Sequence, residues 1–273
     1  MALQFPKTIH ISTLFSAFER VYAPDFYFSG ESHNFWEFVC VLDGCAGITA
    51  DNNVYTLSQN QFILHPPMEF HRIWSAQGSH SHVVIMSFAA DRMPSLDNYI
   101  YRLSPAALQL ILKLNEDANR IFYFDDGGLV VLPQTTALEQ EIFLKNLEIF
   151  LLTVLSGSAP SNSRDHSVSA NYYRRIVKTM EENLTKRLSV DDIAEQCKMS
   201  KSNLKKTFAQ YSGEGVIKHF NDMKVKAAIP LLLEGRSISE ISRRFGFEEQ
   251  SYFSTVFKRI TGLSPANYVK RHK

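Results

Sequence analysis

Lys201, Ser202, Lys205 and Lys206 crowd into one short stretch, and Gln250, Ser251, Ser254, Thr255 and Lys258 crowd into a second. Ammonium, hydroxyl and amide groups are the ones that grip phosphate oxygens and read base edges in a duplex. The second stretch, GFEEQSYFSTVFKRITG (246–262), holds no obvious catalytic group, so its chemistry is recognition. A different set lies in the first hundred residues: His33, Glu37, His65, His71, His80 and His82. Imidazoles and carboxylates ligate metals or bond small polar molecules. Trp36, Glu37, His71 and Trp74 suit a pocket for a sugar-like effector, with an aromatic face for the ring and a carboxylate for its hydroxyls.

The two polar stretches belong to an internal repeat. Ile193 and Met199 match Ile241 and Phe247, each 48 positions on. Leu204, Phe208 and Gly213 match Phe253, Phe257 and Gly262, each 49 on, so the second copy has one extra residue in its turn. Each copy starts at a Ser N-cap, Ser189 or Ser237, with acids in the first turn. Each then makes a tight turn and a second helix that a glycine ends. Two short helices joined in this way form a helix-turn-helix, whose second helix can enter a major groove. The units are expected at about 189–213 and 237–262. In the second copy Tyr252, Phe253 and Phe257 anchor the helix and the polar residues face outward. Glu248 and Glu249 suit the positive start of that helix. Val216–Leu233 reads as a connecting helix that sets the spacing, with Pro230 inside it. Successive grooves on one face of DNA lie about 34 Å apart.

The remainder of the chain reads differently. FWEFVCVL (35–42), which stops at Asp43-Gly44, is followed by GITA, VYTL, QFILH, HRIW and SHVVIMSF at short spacing. Short strands separated by turn signals predict a sandwich or small barrel. A helix capped by Ser104 with Pro105 at its first position comes next, then one over about Gln134–Leu155. The latter is apolar on two sides, so it needs two packing partners, one of them either a second subunit or more core. SGSAPSNSRDHSVS (156–169) is Ser-rich without aromatics and reads as a linker.

The charge changes sign at that segment. Residues 170–273 carry 20 Lys and Arg against 11 Asp and Glu, a net +9, whereas residues 1–169 net −8. A basic third on an acidic body points to a polyanionic partner. The 273 residues make roughly two domains. We expect a barrel domain over 1–156, a linker over 157–169 and an all-α domain over 170–273. No charged-then-apolar leader and no long apolar run stands in the sequence, and the three cysteines have no metal or disulfide spacing. A cytoplasmic protein without membrane contact is expected.

ISEISRRFGFEEQSYFSTVFKRITGLSPANYVKR (238–271), with its Gly262, Pro265 and Tyr268 ending, resembles the second helix-turn-helix of the AraC/XylS family of bacterial transcription regulators. MSKSNLKKTF (199–208) resembles the first. Lys224 stands where the family usually has Arg, Ser242 where it has Ala, and Pro230 is unusual. The resemblance implies that Ser202, Lys205 and Lys206 read bases in one groove and Gln250, Ser251 and Thr255 in the next. Lys201, Tyr252, Ser254 and Lys258 would then lean on phosphates. HNFWEFVCVLDGCAGI and QFILHPPMEFHRI resemble the family's cupin-like effector domain. That likeness implies a small-molecule effector, a homodimer through the helix near 134–155, and RNA polymerase as a partner.

The alternative is a cupin metalloenzyme, an isomerase or dioxygenase, with an appended helical domain. The usual cupin ligand set has two His a residue apart, then Glu, then a distant His. Here His33, Glu37 and His71 supply part of it, but Phe35 stands in the place of the other His. No catalytic residue, metal or cofactor is therefore assigned, and the chain is expected not to be an enzyme.

Overall fold

The computed structural model describes residues 3, 6–96, 99–125 and 128–272. Seven strands come first: β1 (His10–Tyr22), β2 (Trp36–Ala50), β3 (Asn53–Ser58), β4 (Gln61–His65), β5 (His71–Ser75), β6 (Ser81–Arg92) and β7 (Ile100–Arg102). Helix α1 (Pro105–Ile121), the hairpin β8 (Phe122–Asp125) and β9 (Gly128–Val131), and helix α2 (Ala137–Gly157) follow. A short strand β10 (Ala159–Pro160) leads to α3 (Val168–Glu181), α4 (Val190–Gln196), α5 (Lys201–Ser212), α6 (Val216–Leu233), α7 (Ile238–Arg244), α8 (Gln250–Thr261) and α9 (Pro265–His272).

The sheet is antiparallel, and β2 organises it. The first half of β2 pairs with β4 and β6, and the second half with β3 and β5. Asp43-Gly44, read from sequence as the end of a strand, is instead a bend within one. The register against β6 shifts between Val41 and Asp43, and Gly44 takes a left-handed φ of 73°. A bulge plus a glycine turns the strand without reversing it. A Cβ on Gly44 would stand 1.8 Å from the His80 carbonyl oxygen, so the bend is closely packed.

Both faces of the sheet are buried, which explains why FWEFVCVL is apolar apart from Glu37. Phe38, Cys40, Phe62, Val84 and Met86 pack on one side with Ile111 of α1 and Phe143, Leu147 and Phe150 of α2. Val39, Val41, Ile48, Ile63 and Ile85 pack on the other, inside the curve of the sheet. Ser104 and Thr136 cap the two helices, the latter in a capping box with Glu139. That box starts α2 slightly later than the apolar pattern alone predicted. Leu138, Ile142, Ile149 and Leu152 on α2 remain exposed.

The Ser-rich segment does not hang free. The Thr56 and Asp165 amides donate to the Ser163 and Val54 carbonyls, and Gln61 donates to the Ser161 and Ser163 hydroxyls. Lacking a core of its own, the segment finds hydrogen-bond partners along the sheet edge, with β10 on β7.

The helical half has two cores, one per repeat. Tyr173, Ile176, Ile193, Leu204 and Phe208 belong to the first, and Val225, Ile241, Phe247, Phe253 and Phe257 to the second. Ser189 and Ser237 cap α4 and α7, and Gly213 and Gly262 end α5 and α8 in left-handed conformation. The turns also match: Lys198 takes φ 50° where Gly246 takes φ 68°. Pro230 lies within α6.

Candidate nucleic-acid interface and ligand cavity

On α5 the buried row is Leu204, Phe208 and Tyr211, and Ser202, Lys205 and Lys206 stand exposed on the opposite side. Lys201 is exposed as well and pairs with Asp191 at 2.8 Å. On α8 the buried row is Phe253, Val256 and Phe257, while Gln250, Ser251, Thr255 and Lys258 are exposed and Ser254 is half-buried. The Ser254 and Thr255 hydroxyls donate to the Gln250 and Ser251 carbonyls, which leaves their lone pairs outward. Tyr252 departs from its reading as a helix anchor. It is exposed, leans on Phe247 at 6.0 Å, and accepts from the Asn221 amide at 3.2 Å. Glu249 is the N-cap of α8, and Glu248 pairs with Arg187.

Inside the sheet lies a cavity of about 380 Å³. Phe18, Phe26 and Phe28 make much of its wall, and Glu37, His65 and His71 give it a polar end. Trp36 and Trp74, expected to line it, do not. Neighbouring strand residues face opposite ways, so Glu37 facing inward sends Trp36 outward to the helix-covered core. The same alternation takes Trp74 away from the cavity beside Ile73. It lies over Gly47, where a Cβ would stand 2.0 Å from its ring, and edge-on to Tyr211 at 5.9 Å.

The polar end holds four acid and imidazole groups within reach of one another: Glu31, His33, Glu37 and His71. Burial alone would raise the Glu37 carboxyl, but His33 and His71 facing it hold it at about 2. His65 bonds Glu69 at 2.6 Å. Burial pushes that imidazole down to about 4, and burial and then the Asp51 charge push Glu69 up to about 8, so burial drives both towards their uncharged forms. His82 lies apart, bonded to Glu19 at 2.5 Å, and His80 is exposed.

Two residues missed in the sequence connect this cavity to its surroundings. Glu31 lies two residues before His33 in an irregular segment, where no pattern marks it. Arg72 sits between His71 and Ile73 and also borders the cavity. Its guanidinium donates to the carbonyls of Phe28 (2.8 Å), Ala209 (3.1 Å) and Gln210 (2.6 Å). The last two belong to the final turn of α5, where the Ala209 carbonyl also accepts from the Gly213 amide and the negative end of the helix dipole favours a cation. Thr49 donates to the next carbonyl, Tyr211, at 2.7 Å. Val54 of β3 is buried within the first helical core, and the Tyr173 hydroxyl donates to the Asp51 carbonyl at 2.9 Å. No helix among the described residues is long and apolar enough to cross a membrane.

Two known families match the chain. The AraC-like ligand binding domain matches residues 16–133, and the helix-turn-helix domain matches residues 193–271. The MmsAB operon regulatory protein of Pseudomonas aeruginosa is 31% identical over 34% of this chain and 30% of its own length. The bifunctional transcriptional activator/DNA repair enzyme AdaA of Bacillus subtilis is 27% identical over 36% of this chain and 47% of its own. The chain thus spans about a third to a half of the curated relatives it matches. Among solved structures, ToxT from Vibrio cholerae O395 aligns over 94% of this chain and 97% of its own at 16% identity, with a TM-score of 0.39. With a match to that ligand-binding domain on its sheet half and to the helix-turn-helix domain on its helical half, the chain carries the two modules of AraC/XylS-type regulators.

Proposed function

We propose that this chain is a transcription regulator that binds promoter DNA through α5 and α8 under the control of a small effector held in the sheet cavity. The observation that carries this reading is the pair of outward polar rows, each backed by its own buried aromatic core, on a half with net charge +9. Ser202, Lys205 and Lys206 would read one groove and Gln250, Ser251 and Thr255 the next. Lys201, Tyr252, Ser254 and Lys258 would hold phosphates. A lysine can meet the O6 and N7 acceptors of guanine, and a glutamine can bond adenine in two places.

The effector is small, with an apolar body for the phenylalanines and a polar group for Glu37 and His71. Its influence on DNA would pass through Arg72, which borders the cavity and holds the last turn of α5. Only an effector that favours one arrangement of this contact over another shifts the population. The exposed stripe Leu138, Ile142, Ile149 and Leu152 suits a second copy of the chain, making a homodimer through α2. Contact with RNA polymerase would follow from DNA-bound protein.

Fluorescence anisotropy of the full chain on labelled duplex tests the reading. Affinity should fall steeply as salt rises, because neutralised phosphates release counterions. Salt-independent binding, or none, would overturn it.

A further inference from the structure

The polar end of the cavity brings two imidazoles up against two carboxylates. The Nδ1 of His33 lies 3.0 Å from the Phe35 carbonyl oxygen and that of His71 lies 3.2 Å from the Glu69 carbonyl oxygen. A carbonyl oxygen only accepts, so both Nδ1 atoms carry the proton. Each ring turns its Nε2 into the cavity, and both Nε2 atoms are buried without a hydrogen-bond partner. What they face is carboxylate. Glu37 lies 3.3 Å from the His71 Nε2 and 3.7 Å from the His33 Nε2, and Glu31 lies 3.9 Å from the His71 Nε2. An Nε2 that carries no proton repels these carboxylates unless a cation lies among them.

The spacing selects the kind of cation. An imidazolium N–H bonded to a carboxylate closes to about 2.7–2.9 Å, shorter than any of these three contacts. Two ligands about 2.1 Å from one ion stand about 3.4 Å apart in tetrahedral geometry, which is close to what is seen. All four ligand atoms lie within 4.8 Å of one another. Ligands across one such ion span at most about 4.2 Å, so the set needs to contract by roughly half an ångström. The rings are also oriented from outside: Phe35 stacks on His33 at 3.7 Å and His65 on His71 at 4.6 Å. Backbone bonds to Nδ1 and stacked neighbours are the outer supports that hold imidazole ligands in place.

We propose that Glu31, His33, Glu37 and His71 bind one divalent first-row transition-metal ion per chain. Two imidazoles with two carboxylates suit iron, manganese or zinc over magnesium or calcium, which take oxygen ligands. Glu31 fills the corner that the sequence reading found empty at Phe35. The ion shares the cavity assigned to the effector and would give a ligand oxygen a charged anchor there. To that extent it rests on the cavity reading, but not on DNA binding.

The test is a cobalt(II) titration of chelator-treated full-length protein, read by visible absorption and by the metal retained after desalting. One equivalent should be taken up and displaced by zinc(II). His71→Ala and Glu37→Gln should weaken uptake at least 100-fold. Glu31→Ala, at a half-exposed side chain that packing does not depend on, should weaken it about 10-fold. His82→Ala should leave it unchanged. Circular dichroism checks that each variant is folded. No saturable uptake, or uptake indifferent to Glu31→Ala and His71→Ala, would overturn the proposal. Duplex anisotropy on the same samples separates the two readings. Intact DNA binding without metal uptake sinks the metal site alone, and metal uptake without DNA binding sinks the regulator reading alone.

Discussion

The Arg72 guanidinium reaches from the cavity wall to the Gln210 carbonyl oxygen, 2.6 Å away in the last turn of α5. It also holds the Ala209 and Phe28 carbonyls, so one buried side chain bonds both halves of the molecule. Hydrogen bonds from a charged donor are each worth about 1.5–3 kcal/mol, and the three share one group, so they do not add. Arg72→Met should therefore lower stability by about 3 kcal/mol, read as a fall in the urea midpoint. Amide exchange in the last turn of α5 should quicken more than in α8. Equal effects on both helices would contradict a local clamp.

The two glycines that end the repeats should respond differently to the same change. Both take left-handed φ, 67° at Gly213 and 75° at Gly262. For a non-glycine residue that conformation costs about 1–2 kcal/mol. A Cβ on Gly262 meets nothing within 4 Å, so Gly262→Ala should cost only that much. At Gly213 the Cβ would stand 1.9 Å from the Ser29 carbonyl oxygen. Gly213→Ala should cost at least about twice as much and loosen the contact between the halves, measured by chemical denaturation and limited proteolysis.

Lys205 and Lys206 are exposed and make no ion pair among those seen between described residues. Replacing both with Ala should leave the melting temperature nearly unchanged. The slope of log affinity against log salt should fall in magnitude by about 1–2, since a lysine cation lodged in a groove also screens the flanking phosphates and each phosphate no longer neutralised removes roughly 0.9. An unchanged slope would mean that these lysines face away from the duplex.

On α2, Ile142 and Ile149 are 59% and 48% exposed. Large apolar side chains at that spacing on one helix face favour a helical partner. Ile142→Glu with Ile149→Glu should raise the dimer dissociation constant by at least about 100-fold without unfolding the chain. Light scattering after size-exclusion chromatography reads the outcome, and a wild type that is monomeric at all concentrations would remove α2 as a dimer face.

Lys224 gives a pH signature. Its amine is buried, donates to the Lys186 carbonyl at 2.6 Å, and lies over the Phe220 ring at 4.4 Å. Burial, and after it the nearby Arg187 charge, holds it down at about 8. Between that value and the unfolded value of 10.5, the unfolded chain binds more protons than the folded one. The contribution of Lys224 to stability is therefore least below pH 8 and grows as pH rises through this window. Relative to Lys224→Met, the wild type should gain on the order of 1 kcal/mol per pH unit across it. Paired denaturation curves at pH 7.5 and 9.5 check the direction.

The parts of this molecule legible in its sequence are those built from local repetition. Ser189 and Ser237, Gly213 and Gly262, and the buried rows between them follow from capping chemistry and helical period. The cavity was less legible because its wall is assembled from separate strands. Strand alternation alone was enough to send Trp36 away from Glu37, yet the indole's suitability for a sugar ring outweighed it in the reading. Asp43-Gly44 looked like a stop because a bulge and a turn use the same residues. Arg72 carried no mark at all, since its partners are backbone carbonyls, two of them more than a hundred positions away.

The seam between the halves also bears on how such proteins could be recombined. Val54 is a strand residue lodged in the helical core, Tyr173 relies on the Asp51 carbonyl, and Gly213 leaves room for Ser29. A chimera joined at the Ser-rich segment would swap one half for a foreign one and strip these fitted neighbours away. Sensors for new compounds would be better engineered by redecorating the phenylalanine wall in place, with residues 49–54 and 72 carried along in any larger transplant.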